Sequence, residues 1–148
     1  MEENNLPELD NLLPFQLYRL GRLLRHYLQQ KQRAQGYEFT PEQFFIVYRV
    51  YSKNGLSQRE LADKVLQDHP NITRLIDKLE KEDFLKREDD PHDRRNYIVR
   101  PSAKGREIFQ QAIPLIHEEH NKVLEGISEE EVEIIQKIIK KIEHNLRM

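Results

Sequence analysis

The sequence predicts a mainly α fold with a small β-hairpin, an α+β chain in which six helices surround one two-stranded excursion. Three observations carry this. Apolar residues recur at steps of three and four along most of the 148 residues, the spacing of helices that bury one stripe. A hydroxyl residue stands three positions before a Glu or Gln at Thr40 and Gln43, Ser57 and Glu60, and Ser128 and Glu131, the pattern of a capping box at a helix start. Between Phe84 and Arg100 the helical period stops, and two short runs rich in β-branched and aromatic residues flank a charged turn.

Taken in order, Leu13, Leu17, Leu20, Leu24, Tyr27 and Leu28 place a first helix over about 11–35, with Pro14 tolerated in its first turn and Gly36 ending it. Thr40-Pro41-Glu42-Gln43 opens a second helix that Gly55 closes. Ser57-Gln58-Arg59-Glu60 opens a short third helix bearing Leu61, Ala62 and Val65. In the fourth, Asp68 is the N-cap, Pro70 sits in the first turn, and Ile72, Leu75, Ile76 and Leu79 form the buried stripe. Phe84-Leu85-Lys86-Arg87 and Tyr97-Ile98-Val99-Arg100 are the strands, joined by the turn Glu88 to Asn96. Ser102 caps a fifth helix reaching about Glu125 and bent near Pro114; Gly126 breaks the chain before a last helix with Ile135, Ile138, Ile139, Ile142 and Leu146.

Composition narrows the chemistry. Cysteine is absent, which excludes disulfides, thiolate metal sites and cysteine nucleophiles. No run approaches the ~18 apolar residues of a membrane span. The first residues, MEENNLPELDN, are acidic and polar, where a secretory signal is basic and then apolar, so a cytoplasmic location is expected. The formal net charge of −2 hides a division. Residues 53–106 carry 13 basic and 11 acidic side chains, whereas residues 107–148 carry five and nine. One region is mildly basic, as a polyanion-facing surface needs, and the other is acidic.

The third and fourth helices lie a few residues apart, and each has one apolar stripe. They pair either as a plain helical hairpin in an all-α core or as a helix-turn-helix whose second member reads DNA. The exposed face of the fourth helix carries Asn71, Thr73, Arg74, Asp77, Lys78 and Lys81. Asn and Arg can bond adenine and guanine edges, Thr can bond bases or phosphates, and Lys can neutralise phosphates. The segment Asp89-Asp90-Pro91-His92-Asp93-Arg94-Arg95 is either a solvated hairpin tip or a wing that inserts an arginine into the minor groove. In the second reading the Asp93 carboxylate holds Arg95 extended through a charge-assisted hydrogen bond. Four acids within six positions repel phosphate unless such local pairing occupies them.

With these motifs the sequence resembles the MarR (multiple-antibiotic-resistance regulator) family of winged-helix transcriptional regulators. The resemblance runs in order through Thr40-Pro41-Glu42-Gln43, Ser57-Gln58-Arg59-Glu60-Leu61-Ala62, Ile72-Thr73-Arg74-Leu75-Ile76-Asp77-Lys78-Leu79-Glu80 and Asp90-Pro91-His92-Asp93-Arg94-Arg95. It implies a winged helix-turn-helix flanked by dimerisation helices. It also implies that Asn71, Thr73, Arg74 and Lys78 face DNA from the reading helix, with Asp93, Arg94 and Arg95 on the wing. The family usually has Gly-Leu where this chain has Asp83-Phe84-Leu85, and Leu-Thr where it has Pro101-Ser102. Neither departure touches a DNA-facing position.

The expected organisation is one domain over 1–148, with a winged-helix core at about 40–100 and dimerisation helices at about 9–36 and 102–148. The terminal helices carry apolar residues on more than one side, including Leu115, Ile116, Val123, Leu124, Ile127, Val132, Ile134 and Ile135. Either one intramolecular core absorbs them or, as the resemblance implies, they interlace into a homodimer that sets two reading helices about one DNA turn apart. Tyr18, Arg22 and His26 share a face of the first helix, which by resemblance borders a pocket for a small aromatic acid effector; a packed tyrosine with exposed basic neighbours is the plainer description. His117 and His120 stand at i and i+3, close enough to share a metal, yet solvated histidines account for them equally, and no metal or other cofactor is expected. No Gly-rich phosphate loop, G-x-S-x-G elbow or H-E-x-x-H pair occurs, so an enzyme is not expected. The leading expectation is a regulator of double-stranded DNA, usually a ligand-released repressor; the alternative is a winged-helix protein-interaction module without DNA readout.

Overall fold

A computed structural model describes residues 6–36, 39–65 and 69–147. The expected N-cap Asp68 lies outside the described residues. The chain forms two compact units, Met1–Glu107 and Ile108–Met148, whose boundary falls inside one helix.

In the first unit a single 3-10 turn at Leu9–Asn11 precedes α1 (Leu13–Ala34), which has Pro14 in its first turn and Gly36 at a φ of 80° just past its end. Helix α2 (Pro41–Lys53) starts in the expected capping box: the Thr40 hydroxyl accepts from the Gln43 backbone N–H at 3.2 Å, and the Gln43 side chain accepts from the Thr40 N–H at 3.0 Å. Its end differs from expectation by one residue. Asn54 takes the left-handed position with a φ of 54°, Gly55 follows with a φ of 128°, and the N–H of Gly55 returns to the Val50 carbonyl at 3.0 Å. Asn is the side chain that best tolerates that conformation after glycine.

Helices α3 (Gln58–Val65) and α4 (His69–Lys81) follow, the first opened by the Ser57–Glu60 box at 3.0 and 3.1 Å. Strands β2 (Leu85–Asp89) and β3 (Tyr97–Pro101) make the hairpin, each a little longer than the periodicity predicts. A third strand goes beyond the sequence-based expectation. β1 (Leu56–Ser57) pairs antiparallel with β3, Leu56 opposite Val99, giving the order β1-β3-β2. Two residues are too few for any periodicity, and the partner is distant in sequence, so the pairing is invisible locally.

These elements enclose one core of Ile46, Val50, Leu61, Ile72, Ile76, Leu79, Leu85 and Val99, each at most 1% exposed. The stripe of α4 is thus buried at Ile72, Ile76 and Leu79 as its spacing requires, with Leu75 at the margin. Helix α4 then stops in a Schellman motif: Asp83 adopts a φ of 61°, its N–H reaches the Glu80 carbonyl at 3.0 Å, and the Phe84 N–H reaches that of Leu79 at 2.9 Å. The position that departs from the family's usual glycine is therefore the one with left-handed backbone.

Helix α5 (Ala103–Val123) begins at the expected cap, where the Ser102 hydroxyl accepts from the Gly105 N–H at 2.9 Å and donates to the Asp83 carbonyl at 2.6 Å. In the second unit α6 (Glu129–Leu146) opens with the Ser128–Glu131 capping box. Its Ile134, Ile135, Ile138 and Ile139 remain 43–56% exposed in the single chain.

Candidate nucleic-acid interface

The first unit packs α3, α4 and the β2–β3 hairpin on a shared core, and polar contacts from Arg59 to Asp93, Arg87 to Asp77 and Gln58 to Thr73 join the three at their surface. On α4, Arg74 and Lys78 are exposed and Asn71 and Thr73 half-buried; at the hairpin tip Arg94 and Arg95 are exposed and Asp93 half-buried. The side chains of Arg74, Lys78, Arg94 and Arg95 make no ion pair with another described residue. The acids of the hairpin are used differently. Glu88 binds Arg100 at 2.6 Å and Lys86 at 3.5 Å, and the Arg100 hydrogen bond holds its carboxyl below the usual range. Asp90 accepts from the His92 N–H at 2.9 Å and the Asn96 amide at 3.3 Å. Local contacts thus occupy Glu88 and Asp90 while Asp89 stays exposed, and with four cations unpaired among the described residues the balance suits a phosphate-facing surface.

The link between Asp93 and Arg95 differs from the sequence-based expectation. Asp93 Oδ1 accepts from the backbone N–H of Arg95 at 3.0 Å, and Oδ2 lies 3.4 Å from the Arg59 guanidinium on α3. An aspartate arm is short, and two residues on in a tight turn the nearest donor is the main-chain amide, as in any Asx turn. The carboxylate thus fixes the backbone that carries Arg95 rather than its guanidinium.

Two residues that sequence reasoning does not single out bind the surface together. Arg87 on β2, its side chain 15% exposed, meets Asp77 at 2.6 Å and Glu80 at 3.3 Å, both on α4. Gln58, at the start of α3, donates from its amide to the Thr73 hydroxyl at 2.8 Å. A cue exists for Arg87, since Asp77 and Glu80 stand at i and i+3 on one face of α4 and can share a cation, but only the strand register shows which one arrives.

Tyr18, Arg22 and His26 occur at i, i+4 and i+8 of α1 and are exposed, so they share a face as expected. His117 and His120 on α5 do not form part of a metal cluster: among the described residues no three His, Cys, Asp or Glu side chains come together as a metal site would. No described helix is long and apolar enough to cross a membrane.

The arrangement of α3, α4 and a three-stranded sheet ending in a basic hairpin defines the winged helix-turn-helix class. A model described as the MarR family matches residues 39–97. The chain is 36% identical over 99 residues to the HTH-type transcriptional regulator BilQ of Clostridium symbiosum, covering 67% of this chain and 68% of that protein. It is 30% identical over 129 residues to an uncharacterized HTH-type transcriptional regulator, YsmB of Bacillus subtilis, covering 84% and 88%. Among solved structures, AbsC, a MarR family transcriptional regulator from Streptomyces coelicolor, superposes with a TM-score of 0.83 at 20% identity over 96% of this chain and 97% of that one. The chain belongs to the MarR family of DNA-binding transcriptional regulators, as the motifs in the sequence imply.

Proposed function

We propose that the protein acts as a homodimer that binds a pseudopalindromic operator in double-stranded DNA and represses transcription until a ligand releases it. Asn71, Thr73, Arg74 and Lys78 read the major groove and its phosphates, and Arg94 and Arg95 enter or flank the minor groove while Asp93 holds the turn. The observation that carries this reading is a contrast on one surface. Arg74, Lys78, Arg94 and Arg95 have no ionic partner among the described residues, whereas three of the four hairpin acids are held locally, Glu88 and Asp93 by ion pairs and Asp90 by hydrogen bonds, with Asp89 exposed.

The dimer rests on a second observation. Helix α1 leaves Leu13, Leu17, Leu20 and Leu23 between 37% and 61% exposed, and α6 leaves Ile134, Ile135, Ile138 and Ile139 similarly open. Apolar faces of that extent are costly in water unless a partner covers them, and a twofold copy of the same chain supplies complementary helices. The effector reading has narrower support, namely the shared face of Tyr18, Arg22 and His26, where a cationic arginine and an aromatic ring suit an aromatic carboxylate.

Selection of duplexes from a randomised pool, followed by gel-shift titration of selected and scrambled duplexes at two salt concentrations, tests the DNA reading. A preference for the selected duplex that persists as salt weakens both supports it; equal affinity for both leaves the fold as a protein-interaction module. Sedimentation at micromolar concentration should give about twice 17.9 kDa, and a stable full-length monomer removes the dimer. For the effector, a millimolar aromatic acid should weaken the DNA complex, with DNA weakening the acid's binding by the same factor.

A further inference from the structure

We infer that Arg87, on β2 and outside the DNA-facing set, is a positioning residue for sequence readout: its single guanidinium ties the wing strand to both helices and fixes the hydrogen-bond polarity at Thr73. The inference rests on the DNA-reading function proposed above and names how that surface is held in register.

The geometry is specific to arginine. Nη1 binds Asp77 at 2.6 Å and Glu80 at 3.3 Å, Nη2 donates to the Thr73 carbonyl at 3.2 Å, and Nε donates to the Gln58 side-chain oxygen at 3.2 Å. The Arg87 backbone N–H also donates to Glu80 at 2.8 Å. Tyr97, at the start of β3, places its ring centroid 5.9 Å from the guanidinium carbon. One side chain therefore reaches α3 and α4 from the sheet, and a planar fork of five donors is what allows it.

Direction matters as much as contact. A guanidinium has no acceptor, so the Gln58 amide must turn its oxygen toward Arg87. Its NH₂ then faces Thr73 and donates to the hydroxyl oxygen at 2.8 Å. Arg87 thus decides, through Gln58, that the Thr73 hydroxyl accepts from α3. The same cation offsets Asp77 and Glu80, two carboxylates that otherwise stand on the reading helix beside phosphate.

Two substitutions separate this role from simple charge or simple packing. Arg87→Lys keeps the charge but loses the fork. Gln58→Glu keeps an acceptor for Arg87 Nε and adds an ion pair, yet has no N–H to offer Thr73. Each full-length variant is titrated against a duplex selected by the wild-type protein and against a scrambled duplex, with thermal midpoints measured alongside. Both variants should bind the selected duplex about tenfold more weakly, the scale of one base contact, while scrambled-duplex affinity stays within about twofold and Gln58→Glu keeps its thermal midpoint. Wild-type discrimination in both variants overturns the proposal. So does an equal loss on both duplexes, which marks general disruption, or a loss in Arg87→Lys alone, which removes the link through Gln58. If the wild-type protein enriches no duplex, the DNA-reading function itself fails, and the positioning role falls with it.

Discussion

Asp93 binds the main-chain amide of Arg95 at 3.0 Å while its other oxygen faces the Arg59 guanidinium at 3.4 Å. One carboxylate therefore sets the turn that presents the wing arginine and tethers that turn to α3. Asp93→Ala should weaken DNA binding by roughly 1 kcal/mol, the worth of one hydrogen bond. Net charge alone predicts the reverse, because removing an acid near a polyanion strengthens association. Asp93→Asn, which keeps an acceptor for the amide and loses the ion pair, should fall between. Arg95→Ala should cost more than losing a generic surface arginine, and the double variant less than the sum of the singles. An Asp93→Ala protein with tighter operator binding than wild type, by gel shift, sinks the orienting role.

The Schellman turn after α4 yields a stability prediction. Asp83 holds a φ of 61°, a conformation that costs an L-residue roughly 1–2 kcal/mol and glycine almost nothing. The bonds that use this residue, from the Ser102 hydroxyl to its carbonyl and from its N–H to Glu80, involve its main chain, so glycine keeps them. Asp83→Gly should stabilise the protein by about 0.5–1 kcal/mol after the entropy cost of glycine in the unfolded chain. Asp83→Val should destabilise it by more than that. Urea titrations of the three proteins decide it.

A different glycine is required by space. An ideal Cβ at Gly105 overlaps the Tyr51 hydroxyl and the Phe84 carbonyl oxygen and lies 3.0 Å from the Ser102 hydroxyl. The Tyr51 hydroxyl itself donates to that carbonyl at 2.8 Å, so it is held in place, and the other obstacle is backbone. Gly105→Ala should therefore cost about 1–3 kcal/mol, the range for overpacking, despite alanine's better helix propensity. Tyr51→Phe in the same chain should recover part of the loss and not all, since the Phe84 carbonyl remains.

How much of this is legible in the sequence depends on range. The capping boxes at Thr40, Ser57 and Ser128 are readable because each is complete within four residues. Ile72, Ile76 and Leu79 are readable as a buried stripe because a helix period needs no partner to declare itself. The same period in Ile135, Ile138 and Ile139 marks a face that stays exposed in the single chain, because periodicity says that a face is apolar and not what covers it. Strand β1, the Arg87 contacts and the Arg59–Asp93 pair depend on register between distant segments, and no local pattern records register. The left-handed residues Asn54 and Asp83 are hidden because Asn and Asp are common in many other settings. For the interface, the cations can be named from residue type and spacing, whereas the groups that position them cannot.

The ion pair between Arg25 of α1 and Glu42 of α2 predicts a pH dependence. Partial burial pushes the Glu42 carboxyl up, but the Arg25 hydrogen bond and charge, with help from the backbone and Thr40, outweigh it and leave it below its ordinary value of 4.5. A carboxyl with a depressed folded pKa stabilises the fold above its unfolded pKa and loses that contribution as pH falls through the folded value. Glu42→Gln should thus be less stable than wild type at pH 7, by about 0.5 kcal/mol for a pair half open to solvent. The difference should shrink to nothing as pH drops below 4.5 and through the lowered value. A difference in unfolding midpoint that is constant with pH would assign the effect to packing.

The reading helix offers the sharpest division between two exposed cations one turn apart. Arg74 has a planar fork suited to a guanine edge, and Lys78 a compact charge suited to phosphate. If Arg74 meets a base, Arg74→Ala should lower affinity for the selected duplex by ~1–3 kcal/mol and relax the preference at one position in each half-site. Scrambled duplex should lose much less. Lys78→Ala should instead weaken both duplexes about equally and flatten the salt dependence by about one unit of slope for each phosphate it no longer neutralises. Neither side chain has an ionic partner among the described residues, so neither substitution leaves an orphaned buried charge, and stability should stay within ~0.5 kcal/mol of wild type. Titration of both variants on both duplexes across a salt series separates the two roles. Matching slopes and matching loss of preference would show that the helix face is not divided into base and phosphate contacts at these positions.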